Sequence, residues 1–283
     1  MVSRIVSLNT EDKSYIVRIQ PSRGWFRLNL SEIWKYRELL YFLTWRYIKI
    51  RYKQTVIGIA WAVLQPVLTT IIFTILFSRF AGFSTAVPYP LFALSGLTLW
   101  LFVHNAISMA SNSYVGHTNL ITKIYFPRLI VPVSAVSASL FDLVFGFAIL
   151  VILMAYYKAI PTLQVLLFPL FIVLSLVLAA SVGTLFAALN IRFRDVKFAL
   201  PFLLQVWMIS SPIFYPAHLL PESWRLVLAL NPLTGILEGF RSSIFGTEFD
   251  WAMIGVSCLS LGLITAVSLL VFTSMEDRFA DVI

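Results

Sequence analysis

Apolar residues dominate long stretches of this chain, and the breaks between them fall where charged residues appear. Gln54 to Ser78 runs 25 residues without Asp, Glu, Lys or Arg, and Phe80 to Thr122 runs 43. Leu129 to Tyr157 is interrupted only by Asp142, and Ala159 to Ile191, Phe198 to Pro221 and Trp251 to Met275 complete the set. A helix needs about 20 apolar residues to cross a bilayer, and a charge at its centre is costly, so each stretch predicts one crossing. The longest is no exception: Pro88 and Pro90 mark its entry and Asn112 to Thr122 is polar, leaving one span near Pro90 to Ser111. The pattern predicts an all-α integral membrane protein with six transmembrane helices between residues 54 and 275.

Outside the spans the periodicity changes. In residues 31 to 53, Ile33, Tyr36, Leu40, Leu43, Tyr47 and Ile50 recur at steps of three and four, while Lys35, Glu38, Arg46, Lys49 and Lys53 follow the same steps on another face. This predicts an amphipathic helix whose cations and aromatic shoulders (Trp34, Trp45, Tyr52) suit a headgroup layer. It is either a topogenic anchor or a functional element. The loop 116 to 131 is long enough for a short docking helix, stopped by Pro127 and Pro132. The segment NIRFRDVKF, with Asp195 among its cations, predicts a tight charged turn.

Residues 216 to 250 stay apolar but are divided by Asn231-Pro232 into Leu220 to Leu230 and Thr234 to Phe245, each too short to cross. They predict a helical hairpin that re-enters the membrane from outside, a candidate external gate built around Asn231, Pro232, Glu238 and Arg241. Glu238 and Arg241, three apart, are placed to pair on one helix face, which also fits a purely structural role.

Charge orients the threading. Of 21 Lys and Arg, 11 lie in the first 53 residues, which places both termini in the cytoplasm. Residues 1 to 30 are then a cytoplasmic N-terminal segment and 276 to 283 a cytoplasmic tail, with Arg79, Lys158, Arg225 and Arg241 outside. No cleavable signal peptide is expected, because the N-terminus lacks an apolar core before a small-residue cleavage site. The net charge of +8 belongs to this asymmetry, and nucleic acid is not an expected partner. With 59% apolar and 12% charged residues, against about 25% charged in soluble domains, a soluble globular fold is excluded.

The chemistry of catalysis is thin. There is no GxxxxGK[ST] loop for nucleotide phosphates, His104, His117 and His218 are scattered, and Cys258 is a single cysteine inside an apolar run. No catalytic residue, metal site or cofactor is expected in the chain, which counts against a membrane-embedded glycosyl- or acyltransferase. Asp142 is the one ionisable residue deep in a span and by default a functional hypothesis; a partner on a neighbouring helix, with Ser139 one turn back, would make it structural instead. Of 24 Phe, 11 Tyr and 8 Trp, Trp100, Trp224 and Trp251 suit interface belts. Trp61, Phe73, Phe202 and Trp207 sit mid-span, where they face either lipid or a path for sugar rings.

Several stretches together resemble one family: LSEIWKYRELL, RYIKIRYKQTVIGIAWAVLQP, YPLFALSGLTLWLFV, NLITKIYFPRLIVP, RFRDV, SPIFYP and NPLTGILEGFR, in order from about residue 24 to the last span. The chain is similar to the transmembrane subunits of ABC type-2 exporters, specifically permeases for lipid-linked O-antigen, teichoic acid or capsular polysaccharide. The resemblance implies a homodimer of six-span subunits in the inner (plasma) membrane, joined to two copies of a separate ATPase that binds ATP and Mg. It implies that Asn119 to Leu129 forms a coupling helix, with Asn119, Lys123, Tyr125 and Arg128 contacting that ATPase, and that the Asn231-Pro232 hairpin gates the external mouth. Arg46, Lys49, Arg51 and Lys53 would recruit the diphosphate of an undecaprenyl-diphosphate-linked polysaccharide, and Trp61, Phe73, Phe202 and Trp207 would line its channel. The alternative within the same family is a permease for a small lipid or drug.

Overall fold

The computed structural model describes residues 34–53, 60–77, 85–114, 126–193 and 195–276. Among them the chain is all helical, with nine α-helices and two short 3-10 turns. In chain order they are α1 (Arg37–Lys53), α2 (Ala60–Leu76), α3 (Tyr89–Ser111), α4 (Ile130–Tyr156), α5 (Phe168–Arg192), α6 (Val196–Ser210), α7 (Glu222–Ala229), α8 (Pro232–Phe245) and α9 (Trp251–Glu276). Four are long and apolar enough to cross a membrane: α3, α4, α5 with its 3-10 lead from Leu163, and α9. The first and fifth expected crossings correspond to the shorter α2 and α6, of 17 and 15 residues. At 1.5 Å per residue α6 rises about 22 Å, short of the hydrocarbon thickness of about 30 Å, and the described residues of α2 rise about 26 Å.

α6 stops early for a local reason. Ser211 precedes Pro212, and the clash with the proline ring drives it out of the helical region to ψ 147°, so the chain turns aside ten residues before the charge-free stretch ends. The irregular segment that follows is buried, with Ser211 and Ile213 fully covered. Backbone in that state is tolerated at membrane depth only where protein meets its polar groups.

α3 is the centre of the bundle, buried along almost its whole length from Leu91 to Ala110 and packed between α4 and α5. α8 closes one end of the same core, and Gly239 lets it do so, since a Cβ there would fall inside the Phe171 ring of α5. At the other end a second cluster joins Leu43 of α1 to Tyr114, Ile130, Val131, Ala188 and Phe272. The outer faces of α2 (Leu68, Ile72, Ile75) and α6 (Phe198, Phe202, Ile209) remain apolar and exposed.

The amphipathic helix is packed along Tyr36, Leu40, Leu43 and Tyr47 of its apolar seam, whereas Ile50, expected on the same face, is 62% exposed. Leu43 is 1% exposed, and Thr44 Oγ1 donates to Leu40 O at 2.8 Å and reaches Ser134 O of α4 at 3.4 Å. Eight residues further on, its last turn stands beside Asp142, so α1 follows the N-terminal half of α4.

Candidate functional site

The last turn of α1 brings Arg51 and Tyr52 onto the carboxylate of Asp142. Arg51 Nη1 lies 2.5 Å from Asp142 Oδ2, Tyr52 Oη donates to Oδ1, and Asn105 Nδ2 of α3 donates to Oδ2 at 3.3 Å. The Asp142 side chain is 10% exposed, so a charge inside a span is met by one cation and two neutral donors. Burial, and then the adjoining carboxylate, pushes the Tyr52 phenol above its ordinary value and keeps it a donor. Ser139 takes no part. Its hydroxyl donates to Ala135 O at 3.4 Å and approaches Met109 Sδ at 3.5 Å. The sequence marked Asp142, marked Tyr52 only as an aromatic shoulder for the headgroup layer, and did not mark Asn105; the signal for Asn105 was an amide placed mid-span, where a polar side chain needs a partner.

Beside this cluster lies a cavity of about 230 Å³ between α1, α2, α3 and α4. Trp61, Gln65, Thr98 and Asn105 share its wall with the ion pair. A Cβ at Gly146 would stand 2.8 Å from Thr98 Cγ2 and 3.2 Å from its Oγ1, so the missing side chain lets α3 and α4 approach closely beside the cavity.

The four cations assigned to headgroup recruitment divide. Arg46, Lys49 and Lys53 line an open cleft of about 350 Å³ with Phe42, Trp45 and Ile50, and Lys49 Nζ stands 5.7 Å from the Trp45 ring centre. Arg51 turns to the opposite side and is engaged by Asp142. The four mid-span aromatics divide as well. Trp61 opens on the polar cavity and Phe202 on the bare face of α6. Phe73 stacks on Phe214 at 3.5 Å, and Trp207 Nε1 donates to Asn231 Oδ1 at 2.8 Å.

Asn231 ties three elements together. It caps α8 through Oδ1, which accepts from Leu233 N at 3.1 Å as well as from Trp207, and its Nδ2 donates to Ser211 Oγ at 2.8 Å. Pro232 follows at the first helical position, where its missing N–H costs nothing. Arg241 is 3% exposed and fully occupied. Its guanidinium donates to Pro212 O and Ile213 O at 2.7 Å each, to Phe92 O at 3.3 Å and to Glu238 Oε1 at 3.1 Å, and lies 3.6 Å from the Phe92 ring centre. It thus supplies the donors that the irregular segment after α6 requires. Of the coupling residues, Asn119, Lys123 and Tyr125 lie outside the described residues. Arg128 reaches the Glu276 carbonyl at the end of α9, and its own carbonyl accepts from Tyr114 Oη at 2.9 Å.

A sequence profile of the family described as ABC-2 type transporter matches residues 38–245. The chain belongs to that family. It is also 28% identical over 257 residues to the O-antigen export system permease protein RfbA of Myxococcus xanthus, covering 89% of this chain and 98% of that protein. A protein of the same name from Klebsiella pneumoniae is 24% identical, with 87% of this chain and 95% of the relative covered. The polysialic acid transport protein KpsM of Escherichia coli is 26% identical over 80% of this chain and 87% of its own length. The region shared with ABC-2 transporters opens at Glu38 in the first turn of α1 and closes at the end of α8, so it holds both the Asp142 cluster and the Asn231 tie. Membership and the four long apolar helices make the chain an integral membrane protein.

Proposed function

We propose that this chain is the permease subunit of an ATP-driven exporter that moves a lipid-linked, O-antigen-like polysaccharide out of the cytoplasm across the inner membrane. The observation that carries the reading is near-full-length similarity to relatives named for O-antigen export and polysialic acid transport. Two copies of the chain pair, each crossing six times with α2 and α6 as the first and fifth spans and both termini cytoplasmic. Their bare apolar faces suit contact with lipid or with the second copy. Two copies of a separate ATPase bind ATP and Mg, and their closure pushes on the coupling loop around Asn119 to Arg128. The hairpin of α7 and α8 gates the external mouth.

The cleft of Arg46, Lys49 and Lys53 receives the diphosphate of an undecaprenyl-diphosphate-linked glycan, since three cations beside aromatic side chains suit an anionic headgroup at a membrane surface. Deleting the gene in its host tests the reading. Lipid-linked glycan should accumulate on the cytoplasmic side and return to the surface on complementation. An unchanged cell-surface glycan would sink it.

A further inference from the structure

Residues 115–125 are flanked by Tyr114 and Phe126, and both flanks are buried in one apolar cluster. Tyr114 Oη donates to Arg128 O at 2.9 Å, so the arm that leaves α3 is fastened to the arm that leads into α4. The Arg128 side chain runs the other way, and its guanidinium donates to the carbonyl of Glu276, the last residue of α9. The last turn of α9 has no cation of its own, and a cation that meets the final carbonyls of a helix also meets the negative end of its dipole. Asn190 Nδ2 of α5 donates to Ser111 O at 2.9 Å and ties the end of α3 to the same base.

We propose that Tyr114 and Arg128 are positioning residues for export: they clamp the base of the coupling loop into one body with α1 and the end of α9, and substrate occupancy at α1 reaches the ATPase through that body. The inference rests on the exporter reading. It also turns Arg128 inward, whereas the family resemblance gives that residue a direct contact with the ATPase. Such a contact would need the guanidinium outside the bundle, and here it is engaged on α9.

α1 joins the clamp through Leu43, which sits in the cluster with Tyr114, Phe126, Val131 and Phe272. Arg46 and Lys49 of the open cleft follow on the same helix within two turns, so one rigid element carries the headgroup cations on one side and the clamp on the other. Packed cores shift between discrete arrangements and do not yield by degrees, so a displacement of α1 carries the loop base with it. Without the Tyr114 hydroxyl the two arms are no longer joined. Without the Arg128 guanidinium the joined arms are no longer held to α9.

Hydrogen exchange on the purified full-length chain in nanodiscs tests the joint body without any partner. Tyr114→Phe, which removes one hydroxyl, and Arg128→Met should each speed exchange about five-fold or more, both at residues 126–131 and in the last turn of α9. Change confined to residues 126–131 in both variants overturns the clamp. The coupling role is read in the chain reconstituted with its ATPase, with undecaprenyl diphosphate in the bilayer as the probe. Both variants should bind the ATPase within about two-fold of native and keep the native unstimulated rate, while stimulation by the probe falls about three-fold or more. Arg128→Lys, which keeps a cation for the helix end, should retain most of the stimulation, a rescue that follows charge and not packing. Native stimulation in both variants overturns the proposal. So does a loss of ATPase affinity of about ten-fold in Arg128→Met with Tyr114→Phe unaffected, which would make Arg128 an ATPase contact. Should the native chain bind the ATPase without being stimulated by the probe, the exporter reading fails at its substrate, and the exchange measurement still decides the clamp.

Discussion

At the scale of single residues, two arginines decide how charge is carried inside this protein, and they do it differently. Arg51 neutralises Asp142, and breaking such a pair leaves one charge uncompensated, whereas removing both partners is often close to neutral. Arg51→Met should therefore cost about 1–3 kcal/mol, less than a fully buried pair because Arg51 is 35% exposed. The double variant Arg51→Met/Asp142→Leu should recover most of that loss in thermal unfolding of the detergent-solubilised protein; equal or greater destabilisation would mean the two side chains are not coupled. Arg241 pairs with Glu238 and also serves neutral carbonyls, and with Pro212, Ile213 and Phe92 all accepting from it, Arg241→Met strands several buried acceptors at once. We expect a loss of about 3–5 kcal/mol. Arg241→Lys should rescue little of it, because one ammonium cannot reproduce a planar fork with donors at fixed angles. A lysine variant as stable as the native protein would refute this geometry.

At the scale of elements, the break between α7 and α8 is held by side-chain hydrogen bonds as much as by proline. Asn231 caps α8 while receiving Trp207 and holding Ser211, so Pro232→Ala alone leaves the bend in place and should cost under about 1 kcal/mol. Asn231→Ala removes the cap, about 1 kcal/mol, and also deprives the Trp207 indole N–H of its acceptor. If the hairpin seals the external mouth, the double variant should leak ions from proteoliposomes without ATP and the proline variant should not; a tight double variant would reduce the hairpin to packing. The half-helices and their dividing dipeptide were legible in the sequence because apolar length and Asn-Pro are local signals. So were α3, α4, α5 and α9, whose long apolar runs, that of α4 broken only by Asp142, match long helices. The early end of α6 was partly legible, in Ser211-Pro212, but charge counting could not register it because the irregular segment beyond is equally apolar. The direction in which α1 turns its cations was legible too, since steps of three and four put Arg46, Lys49 and Lys53 on one face and leave Arg51 off it. What periodicity could not supply is the partner that Arg51 meets, which depends on the packing of Leu43 at the base of α4.

For the whole molecule, this division of cations makes recruitment separable from stability. Arg46, Lys49 and Lys53 face an open cleft, whereas Arg51 is bound inward, so the two sets should fail in different assays. A cation near an anionic surface contributes about 1 kcal/mol, which for three side chains is an upper bound of about 3 kcal/mol, or roughly a hundred-fold in affinity. In the chain reconstituted with its ATPase, Arg46→Gln/Lys49→Gln/Lys53→Gln should raise the lipid-linked glycan concentration for half-maximal stimulation of ATP hydrolysis by ten- to a hundred-fold, with unfolding temperature and unstimulated hydrolysis unchanged. High salt should reproduce part of the effect in the native protein, since exposed charges are screened within about 10 Å at 0.1 M. Arg51→Met should show the converse, a lower unfolding temperature with a smaller shift in half-maximal concentration. The permease alone, lacking a phosphate loop, should hydrolyse no ATP in either background. Were the triple variant stimulated at native glycan concentrations, the cleft would be a patch that holds α1 at the lipid surface, and the diphosphate would have to be received elsewhere on the dimer.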